Sequence, residues 1–167
     1  TDLPKHYDFF LPWAGMEKMQ HQDENPADVK AAEKMAKLFD KIKEDNPDDS
    51  PEFIHGLNVF LSRLLFCFFA EDTNIFTATE NQFTSNIDSH TQPDGSDLHS
   101  YLASLFKVLN TPESDRQGLP DYLKEFPYVN GELFSKEHQI PVFKTKSRQA
   151  IIDSGTLDWS SINPDIF

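Results

Sequence analysis

The sequence predicts a mainly α-helical protein, a helical bundle around one buried central helix, with a small β-hairpin near residues 126–134. Three observations support this fold class. Residues 51–70 are apolar in nearly every direction around a helix, which is typical of a buried helix. Other segments carry an apolar stripe with the helical period. Asn130-Gly131 lies between two apolar runs, which is the strongest short signal for a hairpin.

The central segment, residues 51–72, begins with clear helix-start signals. Ser50 is a suitable N-cap and Pro51 a suitable first helical residue. Polar residues such as Arg63 interrupt the apolar run, which falls short of the roughly 18 uncharged apolar residues that a membrane span needs. We therefore expect the core helix of a soluble domain, with no membrane as a partner.

Two segments precede the central helix. Residues 7–16 are rich in aromatic residues but are broken by Pro12 and Gly15, so we expect an extended arm on the core, with Trp13 as a docking candidate. A helix is predicted to start at Asn25-Pro26. Its apolar stripe comprises Val29, Ala32, Met35, Ala36, Phe39 and Ile42. The lysines and acids between them are interpreted as a solvated face.

Several elements are predicted after the central helix. They are a short helix at 80–89, an amphipathic helix at 98–109 packed against the central helix, short helical turns near 112–118 and 120–126, the hairpin, and a helix at 147–154 closed by Gly155. Residues 157–167 are expected to dock a neighbouring domain, with Trp159 as the candidate anchor.

Length and composition bound the interpretation. A chain of 167 residues fits a single domain with one core, divided here into an arm (1–25), a helical core (26–118) and a hairpin with a C-terminal segment (119–167). The net charge of -13 disfavours autonomous binding of DNA or RNA. The single cysteine, Cys67, suits a reducing cytoplasm. Because the chain lacks an initiator Met and ends on apolar residues, we expect a fragment of a longer protein.

Glu71 and Asp72 end the central helix, where the helix dipole disfavours negative charge. We predict an ion pair or a cap that organises the following loop. Arg63 is the expected type of partner, although about 12 Å of helix rise separates it from Glu71. A paired-carboxylate acid/base site is the weaker alternative, because no nucleophile accompanies the two acids.

Two further clusters have a structural and a functional interpretation. Lys144, Lys146 and Arg148 are candidate phosphate contacts, or else a solvated junction before the last helix. His90, Asp94, Asp97 and His99 could ligate a metal, but their spacing matches no metal motif and a turn followed by a capped helix explains the acids. No catalytic, cofactor-binding or metal-binding residue is therefore assigned.

Motifs of several enzyme classes are absent from the sequence. It contains no GxSxG elbow, no phosphate-binding glycine loop and no CxxC pair. Residues 163–167 are similar to the Asn-Pro-Pro-Tyr/Phe motif of adenine methyltransferases, but Asp165 replaces the second proline and the aromatic residue is displaced by one. We do not assign a catalytic role to this segment.

Taken together, these segments resemble the helical spacer of MmeI-like type IIL restriction-modification enzymes. The resemblance spans the chain and lies in residues 7–16, 31–38, 57–73, 94–99, 126–131 and 158–167. Such enzymes fuse a nuclease, a helical connector, an adenine methyltransferase and a target-recognition domain. The resemblance implies partners in the flanking nuclease and methyltransferase domains of the same chain, and DNA through the parent enzyme. It also implies S-adenosylmethionine and Mg²⁺ as cofactors of the parent, and none in this fragment.

The first hypothesis is thus a noncatalytic connector in a bacterial cytoplasmic enzyme, which fixes the separation of nuclease and methyltransferase. The alternative is a standalone protein-interaction module with Trp13, Phe134 or Trp159 as exposed anchors. A third and more distant hypothesis is an independent hydrolase or metalloenzyme that uses Asp94, Asp97 and His99.

Overall fold

The computed structural model describes residues 25–163, so the arm predicted at 7–16 and Trp13 lie outside the described residues. Between residues 25 and 163 the chain forms helices and connecting turns, without a β-strand. The helices are α1 (Pro26–Asp45), α2 (Pro51–Glu71), α3 (Gln82–His90), α4 (Leu98–Leu109), α5 (Asp121–Lys124) and α6 (Thr145–Ser154), with a 3-10 turn at Glu113–Asp115. The mainly helical prediction is confirmed.

The first two helices begin where their capping residues predict. The Asn25 side chain accepts a hydrogen bond from the Ala27 backbone N–H at 2.9 Å, and Ser50 Oγ accepts one from Phe53 N–H at 3.2 Å. A proline follows each cap, where its missing N–H costs nothing because no intrahelical acceptor exists there. Local chemistry alone therefore positions both helix starts.

Helix α2 is the centre of the core. Leu61, Leu64 and Ala70 are fully buried, and so is the free thiol of Cys67. By length and composition α2 could cross a membrane, but 67% of its most apolar window is buried inside the protein. Packing within the domain thus accounts for an apolar surface on all sides of the helix.

Helices α1, α3 and α4 pack directly on α2. Helix α1 packs on α2 and on α6, and α3 packs on the same two helices. Helix α4 meets α2 through large side chains: the Phe60 and Phe106 ring centroids lie 6.1 Å apart. The Phe68 ring stacks on Trp159 and meets Phe83 edge-on at 5.8 Å, so the C-terminal segment contributes to the same core.

The predicted hairpin at 126–134 is wrong. The Val129 N–H donates to Leu109 O at the end of α4 at 2.7 Å, and the Tyr128 N–H donates to Glu113 Oε1 at 3.0 Å. Gly131 has a positive φ but Asn130 does not, whereas a type I′ turn requires positive φ at both residues. Contacts with α4 and the 3-10 turn therefore replace strand pairing.

Gly155 follows the last helix, and this position requires glycine because a side chain would not fit. The left-handed conformation that glycine often adopts after a helix is not present here. Gly155 follows α6 with a right-handed φ of -66°. A Cβ atom at this position would overlap the side chain of Thr84 in α3. The absence of a side chain lets the end of α6 approach the start of α3.

Candidate functional site

Buried charged side chains bind the helices to segments that are distant in the sequence. Three of the residues singled out from the sequence, Arg63, Glu71 and Arg148, make such contacts. Arg63 is 4% exposed and lies between two aromatic rings, 5.3 Å from the Phe106 centroid and 5.4 Å from that of Phe134. Its Nε donates to Leu133 O at 3.0 Å and its Nη2 donates to Lys136 O. Arg63 thus attaches residues 133–136 to α2, and Glu71 is not its partner.

Glu71 binds the start of the next helix. Its carboxylate accepts hydrogen bonds from Thr84 N–H at 2.8 Å and from Thr84 Oγ1 at 2.5 Å. Thr84 lies in the first turn of α3, where backbone N–H groups lack intrahelical acceptors and favour an anion. Burial raises the pKa of Glu71 to about 7, although the two bonds from Thr84 oppose the shift. Glu71 therefore acts as a cap supplied from another helix.

Asp72, the neighbouring carboxylate, binds the C-terminal segment. Its Oδ2 accepts a hydrogen bond from the Trp159 N–H at 2.9 Å, and burial raises the pKa of Asp72. The Trp159 indole N–H donates to Ser154 O at 2.9 Å, and the residue is 2% exposed. Trp159 is therefore part of this domain's own core, which contradicts its role as an exposed anchor.

Arg148 stabilises the opposite end of α3. It is 4% exposed, its Nε donates to Thr91 Oγ1 at 3.0 Å, and its Nη2 donates to the carbonyls of Ile87, Asp88 and Thr91 at 3.2–3.3 Å. A cation at a helix C-terminus is favoured by the helix dipole. The guanidinium is thus bound internally, and only Lys144 and Lys146 of the predicted phosphate cluster are exposed.

Two further polar side chains, which the sequence did not single out, also bind the backbone of other segments. Arg116 donates to the carbonyls of Val108 at 2.8 Å and Phe126 at 2.6 Å, which joins the end of α4 to the residues after α5. Asn46 exchanges two hydrogen bonds with Val142, at 2.8 and 2.9 Å, in the manner of a paired strand. The sequence offers no signal for Arg116, and Asn46 is readily mistaken for a simple turn residue.

The two ends of the described chain are bound to each other. Asp28 Oδ1 accepts a hydrogen bond from Asn163 N–H at 3.0 Å, and Asn25 Nδ2 donates to Ser161 O at 3.5 Å. Asp28 is completely buried. The first turn of α1 and the last described residues therefore form one corner of the domain.

The cluster considered for metal binding is dispersed among other contacts. His90 stacks on a tyrosine ring at 3.8 Å, and His99 Nδ1 lies 3.0 Å from Ile140 O. Asp94 and Asp97 accept hydrogen bonds from backbone N–H groups of their own turn. Among residues 25–163, no three His, Cys, Asp or Glu side chains are arranged to bind a metal ion.

Two open grooves flank the segment that Arg63 attaches. The first, of about 660 Å³, lies between α2 and residues 129–138, and the rings of His55 and His138 meet there at 5.5 Å. The second, of about 430 Å³, lies between α4 and residues 134–140. Phe134, another of the three predicted anchors, is 4% exposed and therefore belongs to the core.

The described residues thus form an all-helical scaffold in which buried charged side chains bind the backbone of neighbouring segments. Comparisons with known proteins identify it further. Residues 1–45 match the family described as "MmeI, N-terminal domain", and residues 55–134 match "MmeI, helicase spacer domain". The chain belongs to the MmeI family, and it comprises residues of these two adjoining regions.

Two relatives support this assignment. The chain is 50% identical to DNA methyltransferase A of Bacillus subtilis (strain 168) over 167 residues. This alignment covers 99% of the chain. It also resembles the type IIL restriction-modification enzyme MmeI in complex with DNA, with a TM-score of 0.71 and 44% identity over 83% of this chain. The chain spans only 18% of the length of either relative.

Proposed function

We propose that this chain is the connector of a restriction-modification enzyme, which positions a nuclease and an S-adenosylmethionine-dependent adenine methyltransferase on DNA. The observation that carries the proposal is the 50% identity to DNA methyltransferase A across the chain. S-adenosylmethionine and Mg²⁺ would be bound by the parent enzyme outside this chain. The parent would act in the bacterial cytoplasm, where its DNA lies.

The geometry of the two described ends supports a connector and suggests how it works. Asn25 and Asp28 contact Ser161 and Asn163, so the two ends meet at one corner of the domain. Such a connector fixes the relative placement of the flanking segments through a shared corner and a stiff core. Its length alone would not determine their separation.

The proposal is tested first on the gene and then on the parent protein. The reading frame should continue on both sides, into a nuclease motif and into a glycine-rich cofactor loop with Asn-Pro-Pro-Tyr/Phe. The full-length protein should transfer labelled methyl groups from S-adenosylmethionine to adenine in DNA, and should cut DNA at a fixed distance when Mg²⁺ is present. A frame that stops close to both ends would refute the proposal and leave a standalone interaction module.

The connector role itself predicts that positioning and chemistry can be separated. Asp28→Ala removes the hydrogen bond between α1 and Asn163. We expect cleavage positions to spread while methylation continues, because neither reaction centre is altered. Asp40→Ala, on the exposed face of the same helix, is the matched control. Unchanged cleavage positions in Asp28→Ala would count against the shared corner.

A further inference from the structure

The groove between α4 and residues 134–140 is basic, in contrast to the protein as a whole. The protein has 28 acidic and 15 basic residues. The cationic side chains that line the groove are Arg63, Lys107 and Lys136, and two histidines, His99 and His138, lie beside them. Among the described residues that line it, Glu137 is the only acid. This surface is therefore suited to an anion, although the net charge of the chain opposes one.

Arg63 supplies a buried positive charge that no carboxylate neutralises within residues 25–163. The ion pairs found in this part of the chain involve Lys41, Lys43 and Arg148. The partners of Arg63 are carbonyl oxygens and ring faces, which solvate the guanidinium but leave its charge. Burial lowers the pKa of Arg63. Since buried charges in proteins are usually paired, the charge of Arg63 favours an anion as the ligand of this groove.

His138 reports the same positive environment. The pKa of His138 is lowered mainly by burial, and the positive charges of Arg63, His55 and Lys136 lower it further. This repulsion argues against a metal ion between His55 and His138, even though their rings lie 5.5 Å apart. A bound anion would relieve the repulsion.

We infer that this groove binds one phosphate group of the DNA backbone, with Lys107 and Lys136 as the contact residues and Arg63 as the buried charge behind them. The inference rests on the proposed function, which brings the chain close to DNA. Phosphate contacts orient a protein on the duplex without reading its sequence. The groove would thus fix the connector relative to the DNA that the flanking domains modify and cut.

The test measures DNA binding by the full-length protein that contains this chain. A fluorescent duplex is titrated over a series of salt concentrations with the unaltered protein and with Lys107→Gln/Lys136→Gln. The charge-matched control is Lys37→Gln/Lys124→Gln, which removes two exposed lysines that lie outside the groove. A third variant, Lys144→Gln/Lys146→Gln, tests the rival basic cluster at the start of α6. Lys136→Arg tests whether charge alone suffices.

The groove variant should bind about fivefold to tenfold more weakly at moderate salt, and the slope of log affinity against log salt should fall by about 1. The control and Lys136→Arg should match the unaltered protein. An unchanged slope in the groove variant, or a loss confined to Lys144→Gln/Lys146→Gln, would overturn the inference and leave the proposed function intact. Weaker binding with an unchanged slope would show that the two lysines do not neutralise a phosphate group, and would also overturn it. If the unaltered protein neither binds nor methylates DNA, the proposed function itself fails.

Discussion

Trp159 stacks on Phe68 with ring centroids 5.1 Å apart and an interplanar angle of 19°. This contact joins the C-terminal segment to the last turn of α2, across 91 residues of chain. It removes the indole from solvent and places it where Asp72 accepts a hydrogen bond from its backbone. The C-terminal segment therefore contributes to the hydrophobic core of the domain.

Trp159→Ala should lower the free energy of unfolding by about 3–5 kcal/mol, because it removes a fully packed aromatic side chain and leaves a cavity. Trp159→Phe keeps most of the ring contact but loses the hydrogen bond to Ser154 O, so its cost should be about 1–2 kcal/mol. Denaturant unfolding measures both. Leu157→Ala, at a residue 45% exposed, is the control and should change little. Equal losses in Trp159→Ala and Leu157→Ala would contradict this packing.

Glu71 should make stability depend on pH. Its pKa rises from 4.5 in the unfolded chain to about 7 in the fold, so the folded state binds a proton that the unfolded chain has lost. The free energy of unfolding should therefore fall as pH rises from about 5 to 8, by about 1–3 kcal/mol from this group. Glu71→Gln should flatten that dependence. Urea unfolding at several pH values measures it.

The control for this pH dependence is Glu52→Gln. Glu52 lies exposed in the first turn of the same helix, and its substitution likewise replaces one glutamate by glutamine. A pH profile altered to the same extent by both substitutions would indicate general charge repulsion and not the buried carboxyl group.

Arg63→Met should release residues 129–140 from α2. The substitution removes the donors to Leu133 O and Lys136 O but retains an apolar stem among the aromatic rings. Hydrogen bonds from a charged donor are worth about 1.5–3 kcal/mol each, so amide exchange in this segment should accelerate by at least about tenfold. Hydrogen exchange with mass spectrometry measures it. Lys37→Met, on the exposed face of α1, is the control, and unchanged exchange in Arg63→Met would show that the segment is fastened by other contacts.

Gly155→Ala should destabilise the protein although its backbone conformation suits alanine. At a right-handed φ, replacing glycine by alanine usually stabilises by about 0.4–1 kcal/mol, because the unfolded chain loses freedom. Here the added Cβ would overlap Thr84, and overpacking of this kind costs about 1–3 kcal/mol. The melting temperature should therefore fall. Adding Thr84→Ser removes the methyl group but keeps the hydroxyl, which lies nearest to the added Cβ, so it should recover little of the loss. A higher melting temperature in Gly155→Ala would disprove the close approach.

Much of the secondary structure could be predicted because its causes are local. Ser50-Pro51 and Asn25-Pro26 contain the cap and the first-turn proline, and the apolar pattern of residues 51–70 reports burial on all sides. Helix α3 was harder to place, since only Phe83 and Ile87 contribute large apolar side chains to the core. Its stability depends on Glu71 at one end and Arg148 at the other, and both come from other helices.

The helices, the burial of α2 and the family can be predicted from the linear chain, because capping chemistry, apolar periodicity and shared residues are present in it. The partners of the charged residues cannot, since they depend on the tertiary structure. Arg63 and Arg148 bind carbonyl oxygens 57–73 residues away, and Asn130-Gly131 makes no hairpin because the N–H groups of Tyr128 and Val129 find acceptors elsewhere. The physical reason is that a buried polar group must be satisfied, and which group satisfies it depends on the segments that packing brings within about 3 Å.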